Sequence, residues 1–265
     1  MYTSSCHCLE LQPVTIDSSV LEKLETETPL PEVLRNINIG PNLTEKQQQQ
    51  LINLLKHHND IFSKNDTDIG NCKVGKHRID LHDEIPFKER YRRIHPTMID
   101  EVRRHLEDIV ASGVIRKSNS PWASPVVLCR KKNNKIRMCI DYSKLNSKTI
   151  KDSYAIPRIE DILDRLHGAK YFSTVDMKAG YYRTEIEENH KERTAFTLGP
   201  FWFWEFNKLP FGCSNSPAKF ERIVEEILGE YNMTICIIYL DDLIIFSSTF
   251  EEHFERLNLV MPRLH

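Results

Sequence analysis

The 265-residue sequence is sparing with the residues that break structure, and it contains no long apolar run. Its 9 glycines and 13 prolines are spread along the chain, which excludes a collagen-like repeat and broad low-complexity disorder. No apolar stretch approaches the roughly 18 residues that a spanning helix needs. With 28% of residues charged, a membrane protein is not expected. The N-terminus, Met1-Tyr2-Thr3-Ser4-Ser5-Cys6, lacks the basic-then-apolar order of a secretory signal. The seven cysteines are an odd count without framework spacing, and Cys129, Cys139, Cys213 and Cys236 sit among apolar residues. Free, buried thiols in a reducing intracellular setting are therefore expected. Cys6-His7-Cys8 offers metal-ligand residue types but no second pair to complete a site.

What the chain does contain is an uneven distribution of charge. The formal net charge is −2, yet residues 86–137 carry 13 basic and 5 acidic side chains. Residues 1–85 carry 8 and 13, and the remainder 15 and 20. A basic block between acidic ones is either a solvated face or a surface that meets phosphates.

Periodicity predicts an irregular lead-in over residues 1–42, then a helix capped by Thr44 with Leu51, Leu54, Leu55 and His58 on one face. His77 to Leu81 alternates like a strand. A second helix opens at Pro96-Thr97 with Thr97 as cap, carries Ile99, Val102, Leu106, Ile109 and Val110 inward, and stops at Gly113. Residues 125–129 and 136–140 read as a hairpin with a tip of Lys131-Lys132-Asn133-Asn134-Lys135. A helix from Pro157 places Ile159, Ile162, Leu163 and Leu166 on one face and ends at Gly168. Strands are expected over 170–175, 182–186, 195–198 and 203–206, then a helix from Asn215-Ser216-Pro217 to Gly229. Two apolar strands, 234–240 and 243–246, meet at Asp241-Asp242, and Thr249 to Glu252 forms a capping box for the last helix. Interspersed helices and antiparallel hairpins indicate an α+β fold.

Tyr239-Leu240-Asp241-Asp242 carries the sharpest chemical signal. One aspartate in a hairpin turn is ordinary, because its carboxylate bonds nearby backbone amides. Two adjacent carboxylates repel, and a divalent cation would relieve the repulsion. A further aspartate, Asp176, follows the strand Phe172-Ser173-Thr174-Val175 and precedes Gly180-Tyr181. Two-metal phosphoryl transfer needs carboxylates from different elements around ions about 3.5–4 Å apart. A strand-end aspartate beside a hairpin-tip pair meets that need; an aspartate merely ending a strand is the plainer alternative.

From about Lys76 to Leu264 the motifs resemble, in order, the reverse transcriptase of gypsy-type LTR retrotransposon Pol polyproteins. Ser124-Pro125-Val126-Val127, Lys131-Lys132, Arg137 and Asp141-Tyr142 resemble its fingers motif. Lys170-Tyr171-Phe172 through Tyr181 resembles the palm motif. Leu209-Pro210-Phe211-Gly212-Cys213-Ser214-Asn215-Ser216-Pro217-Ala218 resembles the template-and-nucleotide loop, and Tyr239-Leu240-Asp241-Asp242 the signature. His77 to Leu81 and Arg92-Arg93 resemble the lead-in that follows the protease.

The resemblance implies a right-hand polymerase fold, with fingers over about 76–152 and 184–215 and palm over about 153–183 and 216–265. It makes residues 1–75 a linker between protease and polymerase, and implies a chain ending before the thumb. It implies that Asp176 and Asp241 bind two Mg²⁺ or Mn²⁺ ions with Asp242 supporting them, and that Lys131 and Arg137 meet the incoming triphosphate. Phe211 and Gly212 would line the nucleotide and template pocket, and Tyr181 would reject a 2′-OH. A core tyrosine, a solvated lysine tip and plain packing by Phe211 are the alternatives.

The implied partners are dNTPs, an RNA or DNA template with primer, and a dimer mate or the rest of the polyprotein. The implied place is cytoplasmic and particle-associated, with nuclear access. A catalytically inactive remnant that binds nucleic acid or a polymerase partner is the rival reading. Without a thumb, weak salt-sensitive binding and little processive synthesis are expected. The sequence departs from the family at Ser143, where arginine is common, at Tyr182-Arg183, where His-Gln is usual, and at Trp202, where glycine is usual. The last departure predicts a strained or rebuilt turn before Phe203.

Overall fold

Capping residues and apolar stripes set most of the helices. Thr44 opens α1 (Glu45–His57) with a reciprocal box: its Oγ1 accepts from Gln47 N–H at 3.3 Å, and Gln47 Oε1 accepts from Thr44 N–H at 2.9 Å. The structure, a computed structural model, describes residues 37–63, 69–70, 72, 75–130, 136–155, 157–177, 180–199, 202–239 and 242–264. It divides into two compact units, residues 1–64 with 257–265, and residues 65–256. Among the described residues no helix is long and apolar enough to cross a membrane.

The larger unit holds two sheets. In the first, β1 (Ile115–Lys117), β2 (Ser124–Arg130), β3 (Ile136–Ile140), β5 (Phe196–Gly199) and β6 (Trp202–Phe206) lie in the order β1-β6-β5-β2-β3. All pairings are antiparallel except β2 with β5, which meet over Ser124↔Phe196 and Pro125↔Thr197. Its core gathers Val102 and Leu106 of α2 (Ile99–Ala111), Tyr142, Leu145 of α3 (Ser143–Lys148), Val126, Phe196 and Phe206. The register of β5 and β6 shifts between Thr197 and Gly199; residues 200 and 201 of the turn before Phe203 lie outside the described residues.

In the second sheet, β4 (Tyr171–Asp176), β7 (Cys236–Tyr239) and β8 (Asp242–Ser247) lie in the order β4-β8-β7, all antiparallel. Ile162 of α4 (Ile159–Leu166) packs on Ile237 and Phe246. Helices α5 (Glu188–Lys191), α6 (Ser216–Leu228) and α7 (Phe250–Val260) complete the set. Thr249 Oγ1 accepts from Glu252 N–H, and the Glu252 carboxylate accepts from Ser248 N–H, which starts α7 as the box predicts.

Several expectations are corrected. Residues 182–186 are not a strand: Gly180–Arg183 is a 3₁₀ turn, followed by single bridges at Glu185 and Ile186. Packing of the Tyr181 ring into the core bends the backbone there and overrides the β-favouring composition. His77 to Leu81 keeps its alternating burial but bonds two different partners, Ile186 and Thr149, so no ladder forms. Thr97 does not cap α2; a 3₁₀ turn over Pro96–Met98 precedes the helix, and the Thr97 hydroxyl pairs with His95 Nδ1. Ile159 and Leu163 of α4 are more than half exposed, because this short helix packs through Ile162 and Leu166. None of the described cysteines is in a disulfide, but among them only Cys213 and Cys236 are buried. Cys129 is exposed because β2 leaves the core at its far end, where its burial fades along the strand. Helices α3 and α5, short and polar, carry no periodic signal.

Two buried histidines tie the chain together. His253 Nε2 lies 2.8 Å from Ser173 Oγ on β4, while its Nδ1 is buried with no hydrogen-bond partner. Burial, then Arg256, lowers its pKa to about 4 against the opposing Glu252. His77 is also lowered to about 4, by burial first, then Lys219 and His190, with Asp80 and Asp152 opposing. An unfolded histidine protonates near 6.5, whereas these stay neutral until about 4. Stability is thus fully present above pH 6.5 and falls as pH drops toward 4, by up to about 1.4 kcal/mol per pH unit for each proton. Urea unfolding at pH 7.5 and 4.5 should show this loss, and His253→Gln should reduce it; an unchanged pH slope would refute the assignment.

Candidate active site

Antiparallel register brings two of the predicted carboxylates together. β4 ends at Asp176 and β8 begins at Asp242, and the two are direct partners, one step beyond Val175↔Leu243. Directly opposed residues share a face, with Cα atoms about 4.5–5.5 Å apart. Along β4 the exposed positions are Phe172, Thr174 and Asp176, so the pair lies at the open end of one sheet face. The Asp242 carboxyl is pushed above the usual carboxylate range by burial first and by the Asp176 charge second. Tyr239 pairs with Asp242, leaving residues 240 and 241 between the strands' paired ends. Asp241 lies outside the described residues, as does Lys131.

Among the described residues no cluster of three or more His, Cys, Asp or Glu side chains is gathered for a metal. The two carboxylates that are described suit a hard divalent cation: they offer oxygen donors only, and their mutual repulsion is what such an ion removes.

The other predicted residues gather around an aromatic cluster. Tyr181 is buried, its ring 4.8 Å from Phe211 and 5.2 Å from Phe220, both edge-on. Gly180 makes this possible, since a Cβ there would come within 2.7 Å of the Phe220 ring. Phe211 also meets Tyr182 at 5.3 Å, yet remains 42% exposed. Gly212 has φ +92°, a conformation that side chains with a Cβ rarely adopt. Arg137 on β3 is half-buried, and its charge opposes the burial and the Cys139 thiol that push the Tyr182 phenol up to about 12.

The basic block is partly neutralised by acidic side chains, most of them from outside it. Arg116 bonds Glu188 at 2.6 Å and Glu205 at 2.7 Å, Arg130 pairs with Glu101, and Arg92 reaches Asp141 at 3.2 Å. Asp141, held low first by the Ser143 hydroxyl, gives that serine a local partner. Asn146 bonds Gly212 and Ser214 of the site's loop, and Asn215, at the end of that loop, bonds Ile150 and Asp152 across it. Sequence reasoning placed Asn215 in the loop motif and at a helix start but missed Asn146 and the partners of both, because an isolated asparagine carries no signal of its distant partner.

A small antiparallel sheet with paired aspartates at one end, joined to a second sheet and flanked by helices, is the palm and fingers of a right-hand polymerase. The chain belongs to the reverse transcriptase family: the family described as "Reverse transcriptase (RNA-dependent DNA polymerase)" matches residues 129–265. It is 39% identical over 173 residues to the "Retrovirus-related Pol polyprotein from transposon opus" of Drosophila melanogaster, covering 63% of this chain and 17% of that one. The corresponding polyprotein of transposon gypsy, also from Drosophila melanogaster, is 37% identical over 183 residues, covering 66% of this chain and 18% of its own. Prototype foamy virus protease-reverse transcriptase superposes with a TM-score of 0.76 at 25% identity, over 97% of this chain and 32% of that one. The chain thus spans under a fifth of these polyproteins and about a third of the viral protein.

Because the Asp242 pKa is raised, its ionised form weakens the fold, and that cost appears as pH rises above the ordinary 3.8. Without metal at pH 7, Asp242→Asn should melt no lower than the unaltered chain. Mn²⁺ tenfold above its Kd should stabilise the unaltered chain by about 1.4 kcal/mol, roughly 3–6 °C in a protein of this size. Asp242→Asn should lose most of that rise. Thermal melts with and without Mn²⁺ test both, and identical metal-induced shifts would count against a site here.

Proposed function

We propose that this chain carries the nucleotidyl-transfer centre of an RNA-directed DNA polymerase, adding dNTPs to a primer on an RNA or DNA template during retrotransposon replication. The observation that carries it is the direct pairing of Asp176 with Asp242 at the open end of the palm sheet, in a chain of the reverse transcriptase family. In this reading Asp176, Asp241 and Asp242 hold two Mg²⁺ or Mn²⁺ ions. Such ions, when bound, stabilise the charge that develops on the transferred phosphoryl group. The protein's own part is positioning. The carboxylates fix where the primer terminus and the α-phosphate meet, and Lys131 and Arg137 orient the triphosphate, one as a point charge and one as a fork. Phe211 and Gly212 line the nucleotide and template pocket, with the exposed Phe211 ring available to stack. Tyr181 stands beneath it as the group that excludes a 2′-OH. A cytoplasmic, particle-associated setting with nuclear access goes with this role. A non-catalytic binding remnant is not favoured, since it would have no use for the opposed carboxylates.

Single-nucleotide addition to a DNA primer on an RNA template, at low salt with Mg²⁺, tests the reading. Asp176→Asn and Asp242→Asn should each slow addition by roughly 10²–10³-fold, as expected when an electrostatic group acting in the transition state is lost. Rates that match the unaltered chain would exclude these residues from catalysis.

Sugar choice tests Tyr181 separately. Tyr181→Ala should lower the preference for dNTP over rNTP by roughly tenfold, about 1.4 kcal/mol of discrimination, while Tyr181→Phe keeps it. A destabilised Tyr181→Ala with unchanged discrimination would leave the residue a role in core packing alone.

A further inference from the structure

Two asparagines far apart in sequence lace together the segments 146–152 and 212–215. Asn146, on the short helix α3, uses both ends of its amide on one loop: Nδ2 donates to Gly212 O at 2.8 Å, and Oδ1 accepts from Ser214 N–H at 2.8 Å. Asn215 does the reverse: Nδ2 donates to Ile150 O at 2.8 Å, and Oδ1 accepts from Asp152 N–H at 3.1 Å. Each segment thus supplies an asparagine that satisfies one carbonyl and one N–H of the other, as a strand ladder would, but through side chains. Asn215 occupies the N-cap position of α6, where an asparagine ordinarily bonds its own helix, yet its side chain makes no capping bond. Its amide is diverted to the partner segment instead. Asp152 is tied to the same helix by Arg222 at 2.8 Å.

The turn that leads into these contacts is Phe211–Gly212, whose Gly212 carbonyl is the first of them. Gly212 is at positive φ, and Phe211 is exposed although aromatic. Other anchors of the loop are the Ser216 hydroxyl on Pro210 O, Ser216 N–H on Cys213 O and Leu209 N–H on Thr184 O, all beside the turn and not on it. Among the described residues, Gly212 O and Ser214 N–H are both bonded by the one side chain of Asn146.

We propose that Asn146 and Asn215 are positioning residues, a reciprocal clasp that sets the pose of the Phe211–Gly212 turn and thereby the affinity for the incoming nucleotide. The clasp touches no reacting atom and acts through the loop. It rests on the reading above, in which that loop meets nucleotide and template.

The experiment is single-nucleotide addition at varied dNTP concentration, with thermal melts of every variant. Asn146→Ala should raise KM for dNTP roughly tenfold with kcat changed less than about threefold, the pattern of lost binding geometry and not of lost chemistry. Asn146→Asp keeps the acceptor for Ser214 N–H but sets a carboxylate oxygen against Gly212 O, so it should be no better than Asn146→Ala. Asn215→Ala should raise KM in the same direction. Because the two act on one turn, the double variant should exceed the larger single effect by less than the product of the two. Ser147→Ala, an exposed neighbour on α3, should leave KM unchanged.

Variants that lose melting temperature while KM stays at the unaltered value overturn the clasp and leave a purely structural role. Fully multiplicative effects in the double variant overturn its reciprocity. If Asn146→Ala does not fold, Asn215→Ala with unchanged KM is sufficient to overturn it. If the unaltered chain shows no Asp176-dependent addition at all, the polymerase reading fails and the clasp falls with it; Asp176-dependent addition with unchanged KM in both variants refutes the clasp alone.

Discussion

The antiparallel register between β4 and β8 is the constraint on which the site depends. With Phe172 opposite Phe246 and Val175 opposite Leu243, Asp176 falls opposite Asp242 without further adjustment. A slip of one residue would turn one carboxylate to the other face of the sheet. Apolar pairing along the strands therefore decides the chemistry at their end. Leu243, Ile245, Ile237 and Ile238 are fully buried, so the register is specified by the core and not by the carboxylates it exposes.

That arrangement opposes the fold at one point. Asp242 is placed where burial and Asp176 both disfavour its charge. A sheet evolved for stability alone gains nothing from two like charges directly across a pair. The aromatic cluster of Tyr181 is built the opposite way. Tyr181, Phe211 and Phe220 pack edge to face, and Gly180 lets the chain approach Phe220 closely enough for Tyr181 to turn inward. The packed aromatic part is apolar, and the opposed carboxylates are charged and exposed at the end of their sheet.

Much of this was legible from the residues. The hairpin of β2 and β3, the three strands of the second sheet, the cap at Thr44 and the proline-led start of α6 follow from local rules. The errors lie where a tertiary contact overrode such a rule. Residues 180–183 turn because a tyrosine ring finds a pocket, and Thr97 bonds a histidine where a helix was expected to claim it. Ile159 and Leu163 looked like half of a buried stripe, but α4 is too short to bury more than one side.

The sequence by itself determined which chemistry is available: aspartates at Asp176, Asp241 and Asp242, in an order of motifs that resembles a reverse transcriptase. It could do so because those signals are contiguous, and strand and turn preferences act over a few residues. Only the tertiary structure decided that Asp176 faces Asp242, that β2 runs parallel to β5, and that Asn146 and Asn215 each grip the segment carrying the other. Those partners stand more than 60 residues apart. Hydrogen bonds at such separations form only after the sheets have packed, so nothing local in the chain announces them.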